Sequence, residues 1–197
     1  MTRVLLLDVM STLVSEPFYE DIPDFLGISL EELRKRRNHD AYLSFEKGLI
    51  EEEAYAEQFF IDGPRLDIEG MKATLRRSAK LLPGVERCLE RVQQSGIPMY
   101  GLSNYSTWYT EIDAATGLSR FLDWRFTSCL TGVRKPDPEA YLGPARALDL
   151  PVTDCLFVDD RPVNVEAAEA VGMPALLRTP ELDLEAAFEK LGLLAAR

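Results

Sequence analysis

The chain has 197 residues, 46% of them hydrophobic and 28% charged, with a formal net charge of −11. That length and balance suit one compact domain, or one core domain with a modest insert, and exclude disordered and collagen-like chains. The acidic surface repels nucleic acid and anionic lipid, so neither is an expected partner, and any phosphorylated ligand must find local cations.

Val4–Leu7 is a short apolar run that ends at Asp8 and predicts a buried parallel strand. No signal-peptide pattern precedes it and no apolar run is long enough to cross a bilayer, so a cytoplasmic protein is expected. Residues 14–80 then break the pattern. Ser29 with Glu32 makes a capping box, and residues 50–61 and 68–79 carry helical periodicity. A helical insert placed directly after a first strand should lie above the strand ends, which divides the chain into a core of residues 1–13 and 81–197 and a helical cap of residues 14–80.

Downstream, a helical pattern runs from Pro83-Gly84 to just before Gly96, and residues 97–102 predict a second strand. A helix over residues 105–115 follows, then a weaker strand signal at 124–127 and a helix from Pro138 to about Leu148. Residues 155–158 predict a strand ending in Asp159-Asp160, and residues 163–171 a helix stopped by Gly172. A last strand at 175–177 precedes a closing amphipathic helix at 184–194. Strands alternating with helices predict an α/β fold, a Rossmann-like parallel sheet covered on both faces. Ligands bind such sheets at the carboxyl ends of the strands, where Asp8, Ser103 and Asp159 all fall.

Four segments carry the chemistry in a fixed order: VLLLDVMSTLV with Asp8, YGLSNYS with Ser103, VRKPDPEAY with Lys135, and LFVDDRPVNVEAA with Asp159 and Asp160. Each alone is weak, since a lone strand-end Asp is more often a turn or cap residue. The ordered set resembles the haloacid dehalogenase (HAD) superfamily, and the resemblance covers essentially the whole chain. It implies that Asp8 is the nucleophile, that Ser103 binds the transferring group, and that Lys135 is the catalytic lysine. It also implies that Mg²⁺ is held by Asp8, the Met10 carbonyl and Asp160, with Asp159 acting through water. The expected strand order puts the first strand centrally, flanked by those ending at Ser103 and Asp159.

The physical chemistry agrees with these roles. A carboxylate attacking phosphorus needs its own charge and the phosphate's neutralised, which Mg²⁺ and a compact ammonium do. Ser103 and nearby backbone N–H groups add neutral donors, and an aspartyl-phosphate splits one hard displacement into two. The ligand this implies is a small phosphorylated metabolite, handled by a monomer or a homodimer.

One position departs from the family. Superfamily phosphatases read Asp-x-Asp in the first motif, the second Asp serving as general acid and base, and here that position is Met10. Its thioether cannot donate a proton, and such help is worth about 10²–10⁴-fold. A dehalogenase attacking carbon also lacks the second Asp, but the Asp159-Asp160 pair would repel an uncompensated Asp8 in such a site. A binder that kept the site without turnover is the remaining alternative.

The segments DVMSTLVSEPFYEDIPDFLG, FEKGLIEEEAYAEQFFIDG, SNYSTWY and RKPDPEAYLG resemble the plant-type chloroplast flavin mononucleotide (FMN) hydrolases and their bacterial relatives. That group likewise carries Met at the Met10 position, with an acidic residue where this chain has Ser11. The resemblance implies FMN as a candidate substrate.

Other residues invite both a functional and a plain reading. Phe18, Tyr19, Phe25, Phe45, Phe59 and Phe60 crowd the cap and could stack on a flat ring, or simply form the cap's core. Asn104 and Met10 are candidate substrate contacts, and Trp108 or Tyr109 could touch substrate where a helix opens. Asn164 is expected to tie the metal loop together, Glu46-Lys47 to be a solvated helix end, and His39 to be exposed on a helix. Cys88, Cys129 and Cys155, odd in number and without metal-type spacing, read as small buried apolar residues in a reducing compartment.

Overall fold

The computed structural model describes residues 2–196. Four parallel strands, β1 (Val4–Leu7), β2 (Met99–Gly101), β3 (Cys155–Asp159) and β4 (Ala175–Leu177), form one sheet in the order β2-β1-β3-β4. β1 is therefore flanked by the strands that end at Ser103 and Asp159, as expected. Its four residues are buried on both faces: Leu5 and Leu7 belong to one core cluster, Val4 and Leu6 to the other. β3 divides the same way, with Leu156 and Val158 on one side and Cys155 and Phe157 on the other. A period-two strand sandwiched between helix layers needs an apolar residue at every position, which is why the run is continuous rather than alternating.

The weak strand signal at 124–127 is not a strand. Next to this segment the chain pairs with β2 in one isolated bridge, Tyr100 to Asp123. Trp124 and Phe126 instead bury their rings, one in each core cluster, so the apolar pattern records packing rather than sheet pairing.

The insert after β1 holds five α-helices: α1 (Asp21–Leu26), α2 (Leu30–Arg36), α3 (His39–Glu46), α4 (Glu52–Gln58) and α5 (Ile68–Ser78). The N-caps are legible locally. Ser29 Oγ accepts from the Glu32 N–H at 3.1 Å, Asn38 Oδ1 from Ala41 N at 3.1 Å, and Asp67 Oδ1 from Gly70 N at 3.0 Å. Only half of the Ser29 capping box forms, because the Glu32 side chain pairs with Arg36 one turn on. The core helices are α6 (Val85–Gln94), α7 (Tyr109–Thr116), α8 (Ser128–Thr131), α9 (Glu139–Ala147), α10 (Pro162–Ala170) and α11 (Leu184–Lys190). α7 starts later than periodicity predicts, which leaves residues 102–106 as a loop at the end of β2. No described helix is long and apolar enough to cross a membrane.

Insert and core meet through charged and polar links. Arg134 Nε donates to Glu46 Oε1 at 2.7 Å, Trp108 Nε1 to Glu52 Oε2 at 2.7 Å, and Arg76 pairs with Glu111 at 3.0 Å. Ser128 Oγ donates to the Glu46 carbonyl at 2.7 Å and accepts from Tyr105 N at 3.0 Å, joining α3 to the loop after β2. Gly48 makes the tightest approach. Its φ is +69°, and a Cβ there would sit 2.4 Å from the Cys129 carbonyl oxygen, so only glycine fits. Glu46 is thus a correction to its reading as a solvated helix end: it is buried, paired and part of the seam.

Candidate active site

The strand ends bring the acidic residues together. Asp8 follows β1 directly and its N–H donates to the Val158 carbonyl at 2.9 Å, which locks it beside the end of β3. One oxygen each from Asp8, Asp159 and Asp160 lie within 4.8 Å of one another. Lys135 reaches into this cluster with 2% of its surface exposed. Its ammonium donates to Asp8 Oδ1 at 2.7 Å and to Asp159 Oδ2 at 2.6 Å. Thr12 Oγ1 donates to the other Asp8 oxygen at 2.9 Å, so the carboxylate is held from both sides.

The electrostatics follow from burial and crowding. Burial pushes the Asp8 carboxyl up to about 7, opposed by Lys135 and reinforced by Asp159. Asp160 is raised for the same first reason, burial, with Asp159 adding to it. Burial alone would lower Lys135, but Asp8 and Asp159 outweigh it and hold the ammonium above its usual value. Three carboxylates against one ammonium leave an excess of two negative charges, the amount one divalent cation neutralises.

The donor set fits such an ion. Asp8 and Asp160 both line the cavity, whereas Asp159 is fully buried with its oxygens already engaged by Lys135, Arg161 N and the Asn164 amide. Asn164 therefore ties the loop after β3 together, as expected. Its Oδ1 is buried without a hydrogen-bond partner among the described residues, an orphaned acceptor on a residue that lines the cavity.

Ser103 is buried in the loop after β2 and lines the same cavity. Its carbonyl accepts from Ser128 N at 2.9 Å, which fixes the loop. Asn104 lines the cavity as well, but its amide is spent on the lysine: Nδ2 donates to the Lys135 carbonyl at 2.9 Å and Oδ1 accepts from Lys135 N at 2.8 Å. Its side chain thus braces the Lys135 backbone from a position on the cavity wall. Met10 lines the cavity next to Asp8, and Ser11 behind it adopts φ 60°, a left-handed turn that is uncommon for serine.

The cavity measures about 430 Å³, within the ordinary range for small-molecule sites. Its far wall comes from the insert. Phe18, Tyr42, Phe45, Tyr55 and Phe59 line it, with Trp108 from the core. Phe45 stacks on Tyr55 at 4.6 Å and meets Trp108 edge-on at 5.0 Å, so these rings form the insert's core while Phe18, Phe45 and Phe59 also line the cavity. Phe25 and Phe60 pack on the core without lining the cavity, Tyr19 is exposed at its edge, and Tyr109 packs on Trp124 instead. His39 is exposed, as expected, at the start of α3 on the cavity rim.

Sequence reasoning missed Arg37, Tyr42, Glu16 and Arg134. Arg37 lies in the charged run around His39 and reads as solvated. It is in fact half-buried, its guanidinium 4.6 Å from the Phe18 ring and 4.2 Å from the Tyr42 ring. The signal was present in the Phe18-Tyr19 pair and Tyr42 on either side, but only the fold brings them together.

Fold and site together define a parallel-sheet α/β protein with an acidic centre at the strand ends and a helical insert lining the same cavity. The haloacid dehalogenase-like hydrolase family model matches residues 2–172, and the chain belongs to that family. It is 42% identical over 173 residues to flavin mononucleotide hydrolase 1 of Arabidopsis thaliana, named as chloroplastic, covering 88% of this chain and 71% of that one. It is 30% identical over 168 residues to a sesquiterpene phosphatase of Aspergillus oryzae, covering 79% and 81%. In fold it matches a HAD-family enzyme of Bacteroides thetaiotaomicron solved with magnesium and inorganic phosphate, at a TM-score of 0.77 and 16% identity, covering 95% of this chain and all of that one. The chain is a HAD-family hydrolase with phosphatase relatives.

Proposed function

We propose that the protein is a magnesium-dependent phosphatase of a small phosphorylated metabolite, with FMN as the leading candidate, and that it works through a phosphorylated Asp8. The observation that carries this reading is the bridge of Lys135 between Asp8 and Asp159, with Asp160 facing the same cavity. The relative named as an FMN hydrolase and the aromatic wall of the cavity support the substrate.

In this reading Asp8, Asp160 and the Met10 carbonyl would hold Mg²⁺, with Asp159 supporting the site from behind. Bound there, the ion neutralises the phosphoryl oxygens and the cluster's excess negative charge. Thr12 and Lys135 aim the Asp8 carboxylate, and Lys135 shields its charge as it approaches phosphorus. Ser103 donates to a phosphoryl oxygen, while Asn104 acts through Lys135 by fixing its backbone. Residues 14–80 act as a cap that excludes water and selects the organic part of the substrate.

Phosphate release from a panel of alkyl and aryl phosphates including FMN, with Mg²⁺ and with chelator, tests the reading. Magnesium-dependent release, with FMN among the best substrates, is expected. Halide release from a haloacid without metal would replace it with dehalogenation. Tight phosphoester binding without turnover would replace it with a binding role.

A further inference from the structure

The Met10 side chain cannot carry the proton that an alkyl leaving group needs, so another group facing the cavity must, if alkyl phosphates are substrates. Most candidates are committed elsewhere. Lys135 is clasped by two carboxylates, and Asp8 and Asp160 face the metal position. Arginine has no acceptor and serves as a hydrogen-bond donor, which removes Arg37, Arg134 and Arg161 from the role. Burial pushes the cavity phenols of Tyr42, Tyr55 and Tyr105 upward. His39 is exposed on the rim, and the Glu46 carboxylate is paired with Arg134 across the seam.

Glu16 remains. It lines the cavity with Asp8 and Met10, on the strap that leads from the core into the insert. The strap is fixed. Val14 bridges to both Met10 and Leu81, Ser15 N donates to the Lys80 carbonyl at 2.9 Å, and Ser15 Oγ to the Ser78 carbonyl at 3.0 Å. Glu16 Oε1 accepts from Phe18 N at 3.0 Å, which sets the side chain's direction. Among the described residues that is the one hydrogen bond its carboxyl makes, and none joins it to the acidic cluster. The charged and titratable groups that face it are Asp160 beyond β3, Arg37 between α2 and α3, and Tyr105 in the loop after β2.

We propose that Glu16 is the general acid and base of this site, filling from the cap side the role that Met10 vacates. The inference rests on the phosphatase reading above. As Asp8 bonds to phosphorus, the phosphorus–ester oxygen bond breaks and its electron pair stays on that oxygen. The oxygen takes the proton of the Glu16 carboxyl and leaves as an alcohol. The Glu16 carboxylate then takes a proton from the water that attacks phospho-Asp8, which releases phosphate and restores both groups. Burial raises the Glu16 carboxyl from its ordinary value, the direction a proton donor needs.

The test is first-turnover release of the leaving group from p-nitrophenyl phosphate and from FMN, in wild type and Glu16→Gln with Mg²⁺. Glutamine keeps the acceptor for Phe18 N, and a melting curve checks the fold. A phenolate needs little protonation and an alkoxide much. The variant should therefore release p-nitrophenol within about threefold of the wild-type rate, release riboflavin about 10²–10⁴-fold more slowly, and accumulate phospho-Asp8. In Glu16→Ala, added acetate should restore part of the riboflavin release, which keeps the proposal open to test if the glutamine variant folds poorly. Equal slowing of both esters, unchanged riboflavin release, or the same split in His39→Gln in place of Glu16→Gln would overturn the proposal. No release of either product by wild type would remove the phosphatase reading and this inference with it.

Discussion

The strand-end centre and the cap wall face one cavity but are built by opposite means. The centre is polar and over-determined: each Asp8 oxygen has a donor, and Lys135 is clasped by two carboxylates at 2.6 and 2.7 Å. The cap wall is aromatic and held by ring contacts, with the Arg37 guanidinium against both Phe18 and Tyr42. A site that must stabilise developing charge needs fixed dipoles and ions. A site that must select a ligand needs shape and stacking, which tolerate substitution. The same contrast predicts that substitutions at the centre abolish chemistry, whereas substitutions in the wall grade substrate preference.

The largest expected effect is at Asp8. Asp8→Asn should lower turnover of every phosphoester by about 10⁴-fold or more, as removal of a nucleophile does, while leaving the melting temperature close to wild type. Steady-state rates on an aryl and an alkyl phosphate check it. Next is Asp160→Ala, which should abolish magnesium-dependent turnover and the heat of Mg²⁺ binding in calorimetry. A wild-type binding isotherm from that variant would remove Asp160 from the metal site.

In the wall, Tyr42→Leu removes one of the two rings that hold Arg37. An aromatic contact is worth about 0.5–1.5 kcal/mol, so KM for FMN should rise by roughly two- to tenfold while turnover of a small aryl phosphate stays within twofold. Equal loss on both would show that the wall serves the chemistry as well as selection. At the seam between the two regions, Arg134→Ala strands the buried Glu46 carboxylate, whereas Glu46→Gln leaves a partly exposed arginine. Losing a partner from a buried group costs more than losing one from an exposed group, so the arginine variant should melt lower.

A smaller effect concerns pH. The Asp8 carboxyl is raised in the folded, metal-free protein to about 7, so its contribution favours folding at low pH and is lost as pH rises through about 7. Metal-free protein should lose a few degrees of melting temperature from this group between about pH 5 and 8, at about 2–4 °C per kcal/mol for a chain of this size. Mg²⁺ should reverse the trend, because it binds the ionised form. Identical pH dependence with and without Mg²⁺ would separate Asp8 from the metal.

The contrast between the regions also explains what was legible beforehand. β1, β3 and their terminal aspartates could be read because a strand buried on both faces is a continuous apolar run, and a charge at its end stands out. Lys135 and Ser103 came from motif order. The strand signal at 124–127 misled, because Trp124 and Phe126 serve two different cores rather than one sheet. The cap wall was least legible. Arg37 and Glu46 sit in charged stretches that look solvated, and only tertiary contacts with Phe18, Tyr42 and Arg134 bury them. The pairing of the Asn104 amide with the Lys135 backbone, 31 residues away, was not legible in the sequence.

The central claim is that Asp8 itself accepts the phosphoryl group. The most direct measurement is acid quenching of the Mg²⁺-loaded protein within the first turnover of an aryl phosphate, followed by mass spectrometry of the N-terminal peptide. The account predicts a phosphoryl group on Asp8 that forms no faster than the phenol is released and is absent from Asp8→Asn and from chelator-treated protein. Full turnover with an unmodified Asp8 peptide, or with the phosphoryl group on another residue, would contradict it.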